Sequence, residues 1–77
     1  MKKLSEMSPG TKGRIQILKG DGRFLSRVTS MGLTVGCSIE VLRNEGKQPM
    51  LIYSRDTMVA LNRKECEKIL LEERKGE

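Results

Sequence analysis

The stretch "GRIQIL" alternates apolar and polar positions, with Ile15 and Ile17 on one face and Arg14 and Gln16 on the other. A period of two predicts a half-buried strand, and Gly20-Asp21-Gly22 ends it. The period then changes. In "RFLSRVTSM" the apolar residues Phe24, Leu25, Val28 and Met31 fall along one side of a short helix, with Arg23, Ser26, Arg27 and Ser30 on the other. Asp21 stands where a carboxylate caps the first turn. A helix this short is not stable alone, so packing against strands must hold it. Gly32 follows the last periodic apolar residue, where helices commonly end in a left-handed residue, and Leu33 would fold back onto the helix. Gly36 closes the "LTVG" turn and launches "CSIEVL", in which Cys37, Ile39 and Val41 alternate with Ser38, Glu40 and Leu42. Gly32, Leu33 and Gly36 are therefore read as structural turn residues.

The remainder continues in strands. "NEGKQ" reads as a turn, and "PMLIYS" and "TMVALN" read as a hairpin across Arg55-Asp56. Asn62, with Glu65 three residues on, resembles a capping pair that opens a single helical turn. Ile69-Leu70-Leu71 returns as a last strand, and residues 72–77 form a charged, frayed tail. Near the start, Leu4 and Met7 cover an edge of the core ahead of the Pro9-Gly10 turn signal. The expected fold is mainly β. It is a small barrel of about five strands, with one short helix between the first two and one helical turn before the last. Closing such a barrel hides strand edges that would otherwise pair with other chains. Residues 1–77 form one domain without repeats or linkers.

Composition narrows the function more than the fold. No apolar run nears the roughly 18–20 residues of a membrane-spanning helix, and "MKKLSEMSPG" lacks the apolar core of a signal peptide, so a cytoplasmic location is expected. Cys37 and Cys66 are far apart and the chain has no histidine. Two unlinked thiols suit buried, reduced core residues better than a metal site or a disulfide. Met1, Met7, Met31, Met50 and Met58 are scattered over separate elements, as core filler is. No catalytic set can be assembled, and the chain is read as a non-enzyme that needs no cofactor. Fifteen Lys and Arg against ten Asp and Glu give a net charge of +5. That charge suits an acidic partner and leaves open a nucleic-acid-binding barrel. One Phe and one Tyr supply no stacking platform for single strands, and nucleic acid is not the expected partner.

The segments "LSEMSPGTKGRI", "FLSRVTSMGLTVGCSIEVL" and "VALNRKECEKI" resemble the FeoA family from about Leu4 to about Leu71, most specifically in "MGLTVG". The resemblance implies an SH3-like barrel and a small cytosolic accessory protein of bacterial ferrous iron transport. Its partner would be a FeoB-like membrane transporter, contacted at its cytoplasmic GTPase domain or nearby. The same barrel forms a terminal domain in iron- and manganese-dependent repressors, so a metal-responsive domain is a further reading. A 77-residue chain has no room for their winged helix, which favours a stand-alone protein, monomeric or weakly oligomeric. Asp56 stands where the family often has Gly, and the "NEGKQPM" loop is its own. For the partner surface, Arg23, Phe24, Arg27 and Met31 of the helix are candidates, with Leu25 beside them. Met50 and Tyr53, at the ends of an apolar strand, are two more, since exposed apolar patches bind proteins.

Overall fold

Alternation and turn chemistry produce six strands and two helices in the computed structural model, which describes residues 1–74. β1 is Lys2–Lys3, followed by a 3₁₀ turn at Leu4–Glu6, and β2 is Lys12–Leu18. Helix α1 runs Gly22–Ser30; β3 is Ser38–Arg43, β4 Met50–Ser54 and β5 Thr57–Leu61; α2 is Arg63–Cys66 and β6 Ile69–Arg74. The strands form one antiparallel sheet in the order β1-β6-β2-β3-β4-β5. Leu4, Ile15, Val28, Leu33, Val41, Met50, Ile52, Leu61, Cys66, Ile69 and Leu71 are wholly buried in a single core fed by every element except β1.

Three expectations about the strands are corrected. First, β1 is an unexpected sixth strand, with Lys2 opposite Leu71 and Lys3 opposite Leu70. Second, Glu72, Glu73 and Arg74 belong to β6 rather than a frayed tail, because each finds a partner on β2: Glu72 opposite Arg14, Glu73 opposite Gly13, Arg74 opposite Lys12. Residues 75–77 of that expected tail lie outside the described residues. Third, Ile17 does not share the buried face of Ile15. A register shift between them places Ile17 at the surface and half-buries Leu18 instead. A bulge inverts the facing of everything beyond it and bends the strand. A second shift lies between Val41 and Arg43; Leu42 falls at it and is exposed. The two bends curl the sheet over its core, but the pairing leaves β1 and β5 as ends among the described residues. The SH3-like barrel is thus curled without being closed by a hydrogen-bonded seam.

The helix ends as expected. Gly32, at φ 88°, lets its own N–H reach the Thr29 carbonyl at 2.9 Å and the Leu33 N–H reach the Val28 carbonyl at 2.9 Å, and Leu33 is buried. This is the double bond pattern that satisfies the last carbonyls of a helix. The 34–37 turn is closed by the Cys37 N–H on the Thr34 carbonyl at 3.0 Å, with Gly36 at φ 92° in its third position, where a type II turn requires positive φ. From there Cys37, Ile39 and Val41 face the core. The β4–β5 hairpin turns on Arg55 and Asp56, both at positive φ (52° and 62°), the two-residue turn whose twist matches its strands.

Asn44 ties together segments that are remote in sequence. Its Nδ2 donates to the carbonyls of Ser5 (3.2 Å) and Met7 (2.8 Å), and its Oδ1 accepts from Arg63 Nη1. The N-terminal turn that covers the core is thereby fastened to the start of α2.

Two substitutions test the turns. A Cβ at Gly32 meets nothing within 4 Å, so Gly32→Ala loses stability through the backbone alone, by about 1 kcal/mol. Arg55→Asn relieves a positive φ that arginine tolerates poorly and raises stability by about 0.5 kcal/mol. Urea unfolding of both variants checks the pair of opposite signs.

Candidate functional site

The two helices meet across a groove. Asp21 opens α1, its Oδ1 accepting from the Phe24 N–H at 3.0 Å, and the arrangement sends Phe24 and Val28 inward. Arg23, Ser26, Arg27 and Ser30 face outward, while Leu25 and Met31 are half-buried against the core. On the other side, α2 begins with a reciprocal cap. Asn62 Oδ1 accepts from the Glu65 N–H at 2.8 Å, and Glu65 Oε1 accepts from the Asn62 N–H at 3.2 Å. The second oxygen of Glu65, Oε2, pairs with Arg27 Nε. One carboxylate of a residue only 8% exposed therefore caps one helix and grips the other.

Between these contacts lies a groove of about 300 Å³, lined by Asp21, Arg23, Phe24, Arg27, Asn62, Lys64, Glu65 and Lys68. The Lys68 ammonium sits 5.0 Å above the centre of the Phe24 ring, held there by the ring's negative face. The lining holds four cations and two carboxylates, and both carboxylates are engaged within the protein.

The residues singled out from sequence do not form one site. Arg23, Phe24 and Arg27 come together in this groove, with Phe24 as its buried wall rather than an exposed patch. Met31 lies farther along α1, packed against the core. Tyr53 belongs elsewhere, in a second groove of about 260 Å³ that also involves Lys12, Glu40 and Asp56. There its hydroxyl donates to Asp56 Oδ1 at 3.0 Å, and Met58 is its neighbour across the hairpin. Met50 is corrected: it is wholly buried, because β4 alternates Met50, Ile52 and Ser54 inward against Leu51 and Tyr53 outward. An inward Met50 offers no contact surface. Lys64 and Lys68 were missed, and Asn62 and Glu65 were read only as a cap. Arg27 and Glu65 are 38 residues apart, and no local pattern announces such a pairing.

Both thiols are buried and free. Cys37 Sγ lies 3.0 Å from Ser54 Oγ, which donates to the Ser38 carbonyl at 3.1 Å. Burial pushes the Cys66 thiol up from its ordinary 9.0 to about 12, with Arg63 opposing the rise and Glu65 and Glu67 adding to it. Among the described residues no three His, Cys, Asp or Glu side chains are grouped so as to hold a metal ion. No described helix is long and apolar enough to cross a membrane.

Comparison with known proteins supplies the context. The family model for the FeoA domain matches residues 2–73. No curated protein matches the chain by sequence. Among solved structures, an iron uptake regulatory protein (FeoA) is 29% identical and superimposes with a TM-score of 0.91, covering 95% of this chain and 97% of that one. The zinc complex of Stenotrophomonas maltophilia FeoA, described as a prokaryotic SH3-domain protein and a candidate ferrous iron transport activating factor, is 18% identical. Its TM-score is 0.78 and the match covers 94% of this chain and 91% of that chain. A manganese-dependent transcriptional repressor bound to manganese, 20% identical, has a TM-score of 0.85 over 95% of this chain but only 36% of its own. The last two likenesses concern the fold.

The Cys66 thiol gives this region a measurable signature. The unfolded chain releases its thiol proton near the ordinary pKa while the folded chain keeps it. Stability from this group is complete below about pH 9 and falls as pH rises towards 12. In Cys66→Val, which keeps the site apolar, the unfolding free energy should decline less steeply over that interval than in the parent. In the folded parent, thiol reagents at pH 8 should modify Cys66 only as fast as the domain opens.

Proposed function

The chain belongs to the FeoA family, and from that premise we propose that it is a non-enzymatic accessory protein of ferrous iron uptake. It acts in the cytoplasm on the cytoplasmic region of a FeoB-type transporter. The family match across residues 2–73 carries this reading. The names borne by its structural relatives, an iron uptake regulatory protein and a candidate transport activating factor, point the same way. The make-up of the chain supports a binding role over a catalytic one: it has no histidine, and its thiols are buried. The acidity of the Cys66 thiol is suppressed rather than enhanced, the opposite of what a nucleophile or a thiolate ligand needs.

Contact with the partner is assigned to the outer face of α1, where Arg23 and Arg27 are exposed and Met31 is half-buried. Tyr53 and Met58, exposed side by side on the hairpin, form a separate apolar surface available to a different part of the same partner. In this reading iron is the cargo of the transporter.

Two measurements test it together. Deleting the gene should lower ferrous iron uptake, and the purified chain should bind the transporter's cytoplasmic region in the micromolar range, roughly −8 kcal/mol. Unchanged uptake after deletion would sink the accessory reading.

A further inference from the structure

We propose that the groove between α1 and α2 is a docking site for an acidic polypeptide segment, whose carboxylates meet Arg23, Lys64 and Lys68. The identity of the partner rests on the accessory reading above, but the chemistry of the groove does not. Among the described residues the ion pairs are Lys2–Glu73 and Arg27–Glu65. Arg23, Lys64 and Lys68 make none, although all three are exposed and line one groove. Three cations elsewhere have local company, and the other unpaired ones are not gathered with them into this groove. Lys2 holds Glu73 at 3.1 Å, Arg14 faces Glu72 across the sheet, and Arg63 donates to Asn44.

The groove's own two carboxylates offset only part of the charge of its four cations, and both are committed within the protein. Asp21 is turned to the Phe24 N–H, and Glu65 to the Asn62 N–H and Arg27. Within the groove the excess of positive charge is therefore carried by Arg23, Lys64 and Lys68, the three cations of its lining that make no ion pair. Lys68 is also partly ordered in advance by the Phe24 ring, 5.0 Å below its ammonium. Ordering before binding reduces the entropy lost on binding. The Arg27–Glu65 pair and the cap at Asn62 fix the two walls relative to each other, so the cations are presented from a rigid frame.

The same geometry selects a peptide over nucleic acid. At about 300 Å³ the groove is local, not a stripe that follows a phosphate backbone. Phe24 is only 5% exposed and cannot stack a base. Asp21 at the rim would repel a run of phosphates, whereas a peptide can set an amide or hydroxyl opposite it and its carboxylates opposite the lysines. Such charge pairing sets orientation and association rate and weakens with salt.

The test titrates the ¹⁵N-labelled full chain with a hexaglutamate peptide, a duplex DNA oligonucleotide and the transporter's cytoplasmic region. The parent is compared with Arg23→Gln/Lys64→Gln/Lys68→Gln and with a control triple at exposed sites, Lys3→Gln/Lys12→Gln/Lys47→Gln. Each variant is first shown to keep the parent's amide spectrum outside its substituted positions. Peptide-induced shifts should be confined to residues 21–27 and 62–68. Affinity should fall about tenfold or more in the groove triple, little in the control, and about tenfold as salt rises from about 50 to about 300 mM. Shifts scattered over the surface, or equal affinity in both triples, overturn the proposal. So does tighter binding of the duplex at the same residues. If the transporter region binds parent and groove triple alike, the accessory reading stands and the groove assignment falls. If the peptide maps to the groove while the transporter region does not bind, the groove stands and the partner was misassigned.

Discussion

A chain of 77 residues buries only about 60% of the surface its unfolded form exposes, and that scarcity of interior governs the arrangement of everything else. No layer can be spared to cover the sheet, so the sheet bends over itself at two register shifts. The ends of the curl are stopped by short pieces: the turn carrying Leu4, the helix carrying Phe24 and Val28, and the single helical turn carrying Cys66. Short pieces have little cohesion of their own, so each is anchored by side chains that bond in two directions. Glu65 caps α2 and holds Arg27 of α1. Asn44 holds the N-terminal turn with its amide nitrogen and α2 with its oxygen.

What was legible in the sequence was whatever depends on near neighbours. The ends of α1 are written in Asp21 and Gly32, three or fewer residues from the groups they satisfy. The same holds for the cap at Asn62 and Glu65, and for the alternation through Cys37, Ile39 and Val41. What could not be read was set by partners across the fold. Ile17 obeys the alternation of its strand in sequence, yet a slip against Leu70 and Leu71 turns it outward. Glu72, Glu73 and Arg74 look like a solvated tail until β2 is placed beside them. Met50, a candidate for the surface because "MLI" shows no alternation of apolar and polar residues, lies inside because β4 turns Met50, Ile52 and Ser54 to the core and Leu51 and Tyr53 away from it. The candidate site divides along the same line. Arg23 and Arg27 were visible from the helical period, but Lys64 and Lys68 face them only because Glu65 reaches across.

The likeness to repressor domains shows how little a fold of this size dictates about use. A TM-score of 0.85 at 20% identity is what a shared curl of strands produces when only the core and its turns are constrained. Function must then reside in the outward residues, and here these differ in kind between the two faces. The α1–α2 groove is charged and rigidly framed, while the hairpin face carrying Tyr53 and Met58 is apolar. A partner that engaged both would be held by two unlike interactions, one weakened by salt and one almost indifferent to it.

The bonds of Asn44 also say where this molecule can be rebuilt. All of them leave from the first residue of the loop between β3 and β4, and Glu45 to Pro49 after it are exposed. That loop is moored at one end, and beyond Asn44 it is held only by its own turn, the Gln48 N–H on the Glu45 carbonyl at 3.1 Å. Lengthening it costs only the slowly growing entropy of a larger closed ring, about 0.6 kcal/mol for each doubling. A fluorophore-bearing insert or an affinity epitope placed after Gly46 would therefore report on the domain while leaving both candidate surfaces and the curl of the sheet as they are.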